Sequence, residues 1–82
     1  MYRVAIIEDD ERIRIELDVA LSKYHYKALP IEISSHMIDK VLEVKVDLML
    51  LDINLPVFDG FYICREIRKH CNVPIIVVTS SL

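Results

Sequence analysis

An apolar run, Leu48-Met49-Leu50-Leu51, ends on a carboxylate, Asp52, and passes at once into a loop carrying Pro56, Asp59 and Gly60. Consecutive large aliphatic side chains read as a strand covered on both faces, here expected over Asp47 to Leu51. In open α/β folds the carboxyl edge of a parallel sheet is where ligands bind and chemistry is done. Asp52 is therefore expected at that edge, outside the core, meeting water, a cation or a substrate. A second acidic group, Glu8-Asp9-Asp10, follows another apolar strand, Val4-Ala5-Ile6-Ile7. If the two strands are parallel neighbours, several carboxylates converge on one edge. Such a cluster repels itself and suits a divalent hard cation with oxygen ligands, Mg2+ before Ca2+ where phosphate is involved.

The rest of the chain alternates in the same way. Arg3 to Ile7 reads as a buried strand. Asp10 to Tyr24 carries Ile13, Leu17, Ala20, Leu21 and Tyr24 at helical spacing, with Asp9 or Asp10 as N-cap and Glu11 in the first turn. Ile15 and Val19 lie off that stripe and face either a partner or solvent. Tyr26 to Ile33 reads as a strand interrupted by Pro30, which argues for an edge position. Ser34-Ser35 is expected to cap a helix over His36 to Val44 with Met37, Ile38, Val41 and Leu42 inward. Gly60 to His70 is a third helix, with Ile63 and Ile67 on one face. Ile75 to Val78 is a fourth strand, read as buried. Strands alternating with short helices imply right-handed crossovers and a parallel sheet. The fourth strand reads as central, yet little comes after it, so its flat apolar edge is expected to pair with a second copy.

Composition narrows the function classes. The chain has 82 residues, 54% of them hydrophobic, with mean hydropathy +0.35. That allows at most one domain. A net charge of -3 gives no electrostatic footprint for nucleic acid or an anionic membrane. No apolar run approaches the roughly 20 residues of a membrane span, and the N-terminus lacks a signal-peptide layout. A cytoplasmic location is expected. Cys64 and Cys71 stand without a CxxC or Cys/His cluster and read as reduced structural thiols. His25, His36 and His70 are scattered and read as surface or helix-end residues.

The polar residues at three strand ends, Glu8-Asp9, Asp52 and Thr79, suggest phosphoryl transfer to a carboxylate. Asp52 would be the nucleophile. Glu8 and Asp9 would hold Mg2+, screening an anionic donor from an anionic acceptor. The main-chain carbonyl of Asn54 would be a further ligand. The Thr79 hydroxyl would bond a phosphoryl oxygen. Positioning and electrostatics supply most of such catalysis, so few other groups are required.

The stretches "VAIIEDDERIR", "DLMLLDINLPVFDGFYICREIR" and "VPIIVVTS" together resemble the receiver domain of bacterial two-component response regulators. The closest likeness is to the class attached to winged-helix DNA-binding domains. The resemblance implies a flavodoxin-like, doubly wound parallel sheet of order 2-1-3-4, with residues 1–82 forming the N-terminal part of a single receiver domain. It implies Asp52 as phosphoacceptor, Glu8 and Asp9 on Mg2+, Asp10 as the adjacent helix cap, and Thr79 as the hydroxyl that reorients on phosphorylation. Pro56, Asp59 and Gly60 shape the loop. The implied partner is a sensor histidine kinase, and the implied output is transcription through a domain outside this segment. The family's fifth strand, its last two helices and its phosphoryl-contacting lysine have no counterpart in the sequence, so no lysine is assigned.

Two other classes fit part of the pattern. A phosphatase of the haloacid-dehalogenase type also uses a strand-end Asp with Mg2+, but it wants a second Asp two residues on, where this chain has Asn54. A receiver-derived fragment that no longer switches and self-associates through its fourth strand is the structural alternative.

Overall fold

The computed structural model describes residues 1–56 and 58–78. Seven elements succeed one another: β1 (Arg3–Ile7), α1 (Glu11–Lys23), β2 (Lys27–Pro30), α2 (Met37–Val44), β3 (Leu48–Asp52), α3 (Gly60–Arg68) and β4 (Ile75–Val78). All strand pairs are parallel, in the order β2-β1-β3-β4. The alternation read from the sequence is therefore the alternation observed, in the expected strand order. Boundaries move by a few residues. Asp47 lies before β3 rather than in it. Its amide donates to the Arg3 carbonyl and its Oδ2 accepts from the Arg3 amide, both at 2.8 Å, which clamps the starts of β1 and β3 together. The strand expected over Tyr26 to Ile33 shrinks to four residues ending at Pro30, on a sheet edge, where a proline is tolerated.

The sheet buries its two faces unequally. Ala5 and Ile7 of β1 and Met49 and Leu51 of β3 point to the side covered by α2 and α3. There they meet Met37, Val41, Ile63 and Ile67, all buried. Ile38 and Leu42 pack at the margin of that core, as do Cys64 and Cys71, which are free thiols. Each buried aliphatic side chain contributes about 1.5–3 kcal/mol, so this face carries most of the stabilisation. On the opposite face Val4 and Ile6 are buried, yet α1, which lies over them, buries none of its own residues. Ile13, Leu17 and Leu21 are half-buried, whereas Ala20 and Tyr24 of the expected stripe are exposed. Ile15 and Val19 stand outward.

Two expectations are corrected. β4 is not a buried strand: among the described residues it has β3 on one side only, and Ile76 and Val77 are about half exposed. Ser34 does not cap α2 from the expected place. His36 takes the N-cap position, and Ser34 Oγ accepts the His36 amide at 3.1 Å, before the helix begins.

Candidate functional site

The register sets the site. Ile7 pairs with Leu51 across β1 and β3, so the next residues in step, Glu8 and Asp52, emerge together at the carboxyl edge. Glu8 and Asp52 are both buried, and Asp9 beside them is exposed. One carboxylate oxygen from each of the three lies within 4.8 Å of the others. The expectation that Asp52 would sit outside the core is corrected here. It is the last residue of β3, 0% exposed, with β1 on one flank and β4 on the other, Val78 being its register partner.

Asp52 is only half satisfied. Its Oδ1 accepts the Asn54 amide at 2.9 Å, a local turn that fixes the carboxylate plane. Its buried Oδ2 has no hydrogen-bond partner. A buried charged oxygen without a partner is costly, and it is a natural ligand for a cation. Glu8 feels the same crowding. Burial, first, and the facing Asp52 carboxylate, second, push its pKa up to about 7, against a lowering by the Asp10 amide. That amide donates to Glu8 Oε1 at 3.2 Å. Three oxygen donors, crowded at one strand edge with Asp52 Oδ2 unpartnered and the ionisation of Glu8 disfavoured, fit a hard divalent cation that would relieve both costs.

The flanking loops are built to hold these carboxylates. Asp10 is the N-cap of α1, its Oδ1 accepting the Arg12 amide at 2.9 Å, so of the two capping candidates Asp10 takes the role. This leaves Asp9 free of capping. Asp59 caps α3 in the same way, accepting the Phe61 amide at 2.9 Å. Gly60 is buried at the first position of α3, where a Cβ would stand 2.8 Å from Ile53 Cα. Only glycine lets the helix start that close to the loop after Asp52. Pro56 is exposed, and Leu55 plugs into the core beside it. Thr79 lies outside the described residues, one position beyond β4.

Arg14 was not singled out by sequence reasoning. It borders a cavity of about 400 Å3 together with Glu8, Asp9 and Glu32, and its Nη1 donates to the Glu8 carbonyl at 3.1 Å. The signal was present in the helical offset, which brings the residue after Ile13 back over the start of α1, but nothing in its local pattern separates it from a solvated arginine. Among the described residues no helix is long and apolar enough to cross a membrane.

The family model described as "Response regulator receiver domain" matches residues 4–82. The transcriptional regulatory protein YvcP of Bacillus subtilis is 49% identical over 80 residues, which is 98% of this chain and 34% of that protein. The sensory transduction protein BceR of Halalkalibacterium halodurans is 40% identical over 80 residues, 98% of this chain and 35% of that one. The chain thus spans about a third of the length of the curated relatives it matches. Among solved structures, the N-terminal domain of the nisin resistance regulator NsrR superposes with a TM-score of 0.90 at 34% identity, covering 99% of this chain and 68% of that one. A chain from the complex of histidine kinase ThkA with response regulator protein TrrA superposes with a TM-score of 0.88 at 29% identity, covering 100% and 72% respectively.

Proposed function

The chain belongs to the response regulator receiver domain family, and on that premise we propose that Asp52 accepts a phosphoryl group from the phosphohistidine of a sensor histidine kinase, with Mg2+ held by Glu8, Asp9, Asp52 and the main-chain carbonyl of Asn54. The observation that carries this reading is the buried, partnerless Oδ2 of Asp52 facing two more carboxylates. In the transfer, an Asp52 oxygen attacks phosphorus, the phosphorus–nitrogen bond breaks, and its electron pair stays on the donor imidazole, which takes up a proton. Bound Mg2+ supplies charge neutralisation between donor and acceptor. The chain's own part is orientation. The Asn54 main-chain amide pins one carboxylate oxygen and leaves the second beside the oxygens of Glu8 and Asp9. Thr79, which comes directly after β4, is the hydroxyl proposed to meet the phosphoryl group afterwards. Pro56, Asp59 and Gly60 keep the loop in place.

This is a phosphoacceptor role rather than turnover of a substrate. The dehalogenase-type reading is not favoured, because the position two residues after the nucleophile is Asn54, which has no carboxyl group to act as acid or base. The histidine kinase as partner is supported by the likeness to the ThkA–TrrA complex. Control of transcription, by a part of the protein outside residues 1–82, is supported by the regulatory relatives, and a cytoplasmic site of action goes with that reading. No direct contact with nucleic acid is assigned to this segment. One further observation favours a second copy as partner: Ile76 and Val77 are half-exposed on β4, which among the described residues pairs with β3 alone. The test of the main reading is intact-mass spectrometry after acetyl phosphate treatment, with and without Mg2+, beside Asp52→Asn.

A further inference from the structure

We infer that Arg14 is a positioning residue for the cation site, an inference that rests on the reading of Glu8, Asp9 and Asp52 as metal ligands. Three observations lead to it. First, the Arg14 guanidinium reaches back from α1 to donate to the main-chain carbonyl of Glu8 at 3.1 Å. That carbonyl belongs to the peptide joining Glu8 to Asp9, so the bond fixes the plane from which Asp9 departs. Charge-assisted hydrogen bonds of this kind are stronger than neutral ones. Second, the Asp9 side chain is exposed and makes no hydrogen bond or ion pair among the described residues. Its direction is therefore set by the backbone, which Arg14 and the Asp10 amide hold from either side.

Third, Arg14 shares the wall of its cavity with Glu8, Asp9 and Glu32, yet no ion pair within 4.0 Å links it to any carboxylate among the described residues. An arginine paired with Asp9 would occupy the oxygens a cation needs. Bonded to a carbonyl instead, it offsets the acidic cluster and leaves those oxygens open. Removing it has two opposing effects on a cation. The repulsion between two positive charges is relieved, which tightens binding. The Glu8–Asp9 peptide is released, which weakens it. The cavity is open to water, where charge repulsion at such range is small, so the loss of positioning wins.

The test compares the wild-type protein with Arg14→Ala, Arg14→Lys and Arg12→Ala, reading Mg2+ affinity by calorimetry and thermal stability without Mg2+. Arg12 is the control, an exposed arginine of the same helix whose guanidinium lies 3.7 Å from the Asp10 carboxylate and makes no bond to the Glu8 carbonyl among the described residues. Arg14→Ala is expected to weaken Mg2+ binding by about tenfold, the lower end of the loss caused by removing a hydrogen-bond partner of a ligating group. Arg14→Lys should recover part of that loss, and Arg12→Ala should leave affinity unchanged. Unchanged or tighter Mg2+ binding by a folded Arg14→Ala protein would overturn the inference, including the case in which only its melting temperature falls. Absence of Mg2+ binding by the wild type would overturn both the inference and the reading of the site beneath it.

Discussion

Glu8, the residue after β1, stands in step with Asp52, the last residue of the neighbouring parallel β3, and both are buried where the strands stop. Two like charges so placed destabilise the metal-free fold, and burial adds to the cost. Asp52→Asn removes one of them while keeping an oxygen for the Asn54 amide. The variant is expected to melt a few degrees higher than wild type without Mg2+, corresponding to about 1–2 kcal/mol. It should lose both the Mg2+-induced rise in melting temperature and the Mg2+-dependent phosphoryl adduct. An adduct that persists in Asp52→Asn would move the acceptor elsewhere.

The raised pKa of Glu8 gives the site a pH dependence of known sign. With a pKa of about 7 in the fold against an ordinary 4.5, the folded chain holds a proton that the unfolded chain has released. The metal-free fold is therefore most favoured below about pH 4.5 by this group, and that advantage is lost as pH rises through 7. Mg2+ requires the ionised form, so its affinity should climb between about pH 6 and 8 and level off above. Calorimetric titrations across that range should show proton release at the acidic end, and Glu8→Gln should flatten the dependence.

Gly60→Ala tests the loop. A methyl group 2.8 Å from Ile53 Cα and 3.2 Å from its carbonyl oxygen has backbone on both sides and cannot be relieved by a rotamer change. Destabilisation of about 1–3 kcal/mol is expected from urea unfolding. The phosphoryl adduct should form more slowly in the same variant, because the segment that moves is the one directly after Asp52.

The unequal faces of the sheet predict an asymmetric mutational response. Ile67→Ala, at 0% exposure beneath the sheet, should cost about 2–5 kcal/mol. Ile15→Ala, 53% exposed on α1, should stay within about 0.5 kcal/mol. Chemical denaturation of the two variants measures both.

Pairing of β4 with a second copy is checked by sedimentation. Val77→Lys, placing a charge on the half-exposed edge, is expected to shift any concentration-dependent dimer toward monomer. A wild-type protein that is monomeric at all concentrations would end that proposal.

The interior character of β1 and β3 was legible because both are almost wholly aliphatic, and Pro30 marked β2 as an edge, whereas the order β2-β1-β3-β4 came from the resemblance to receiver domains. The convergence of Glu8, Asp9 and Asp52 was expected on the condition that β1 and β3 are parallel neighbours, which they are. Three things were not legible. The burial of Asp52 depends on its flanking strands, which no local pattern records. The half-exposure of β4 depends on what lies beside it, whereas Ile75-Ile76-Val77-Val78 reads as apolar wherever it sits. The bond from Arg14 to the Glu8 carbonyl is a six-residue reach from a side chain to the backbone, and hydrophobic periodicity carries no information about such contacts.

The shallow seating of α1 has a consequence for the acidic edge. Glu8, directly after β1, and Asp52, the last residue of β3, are buried, while exposed Asp9 stands two residues before a helix whose apolar side chains are only half covered. A cation that gathers all three therefore joins a firm body to a loosely held one. Whatever free energy it draws from Asp9 is withdrawn from the opening of α1, so the amides of Glu11–Lys23 should exchange with solvent more slowly as the ion binds. Hydrogen exchange along that one helix then reports occupancy at the strand tips from a distance.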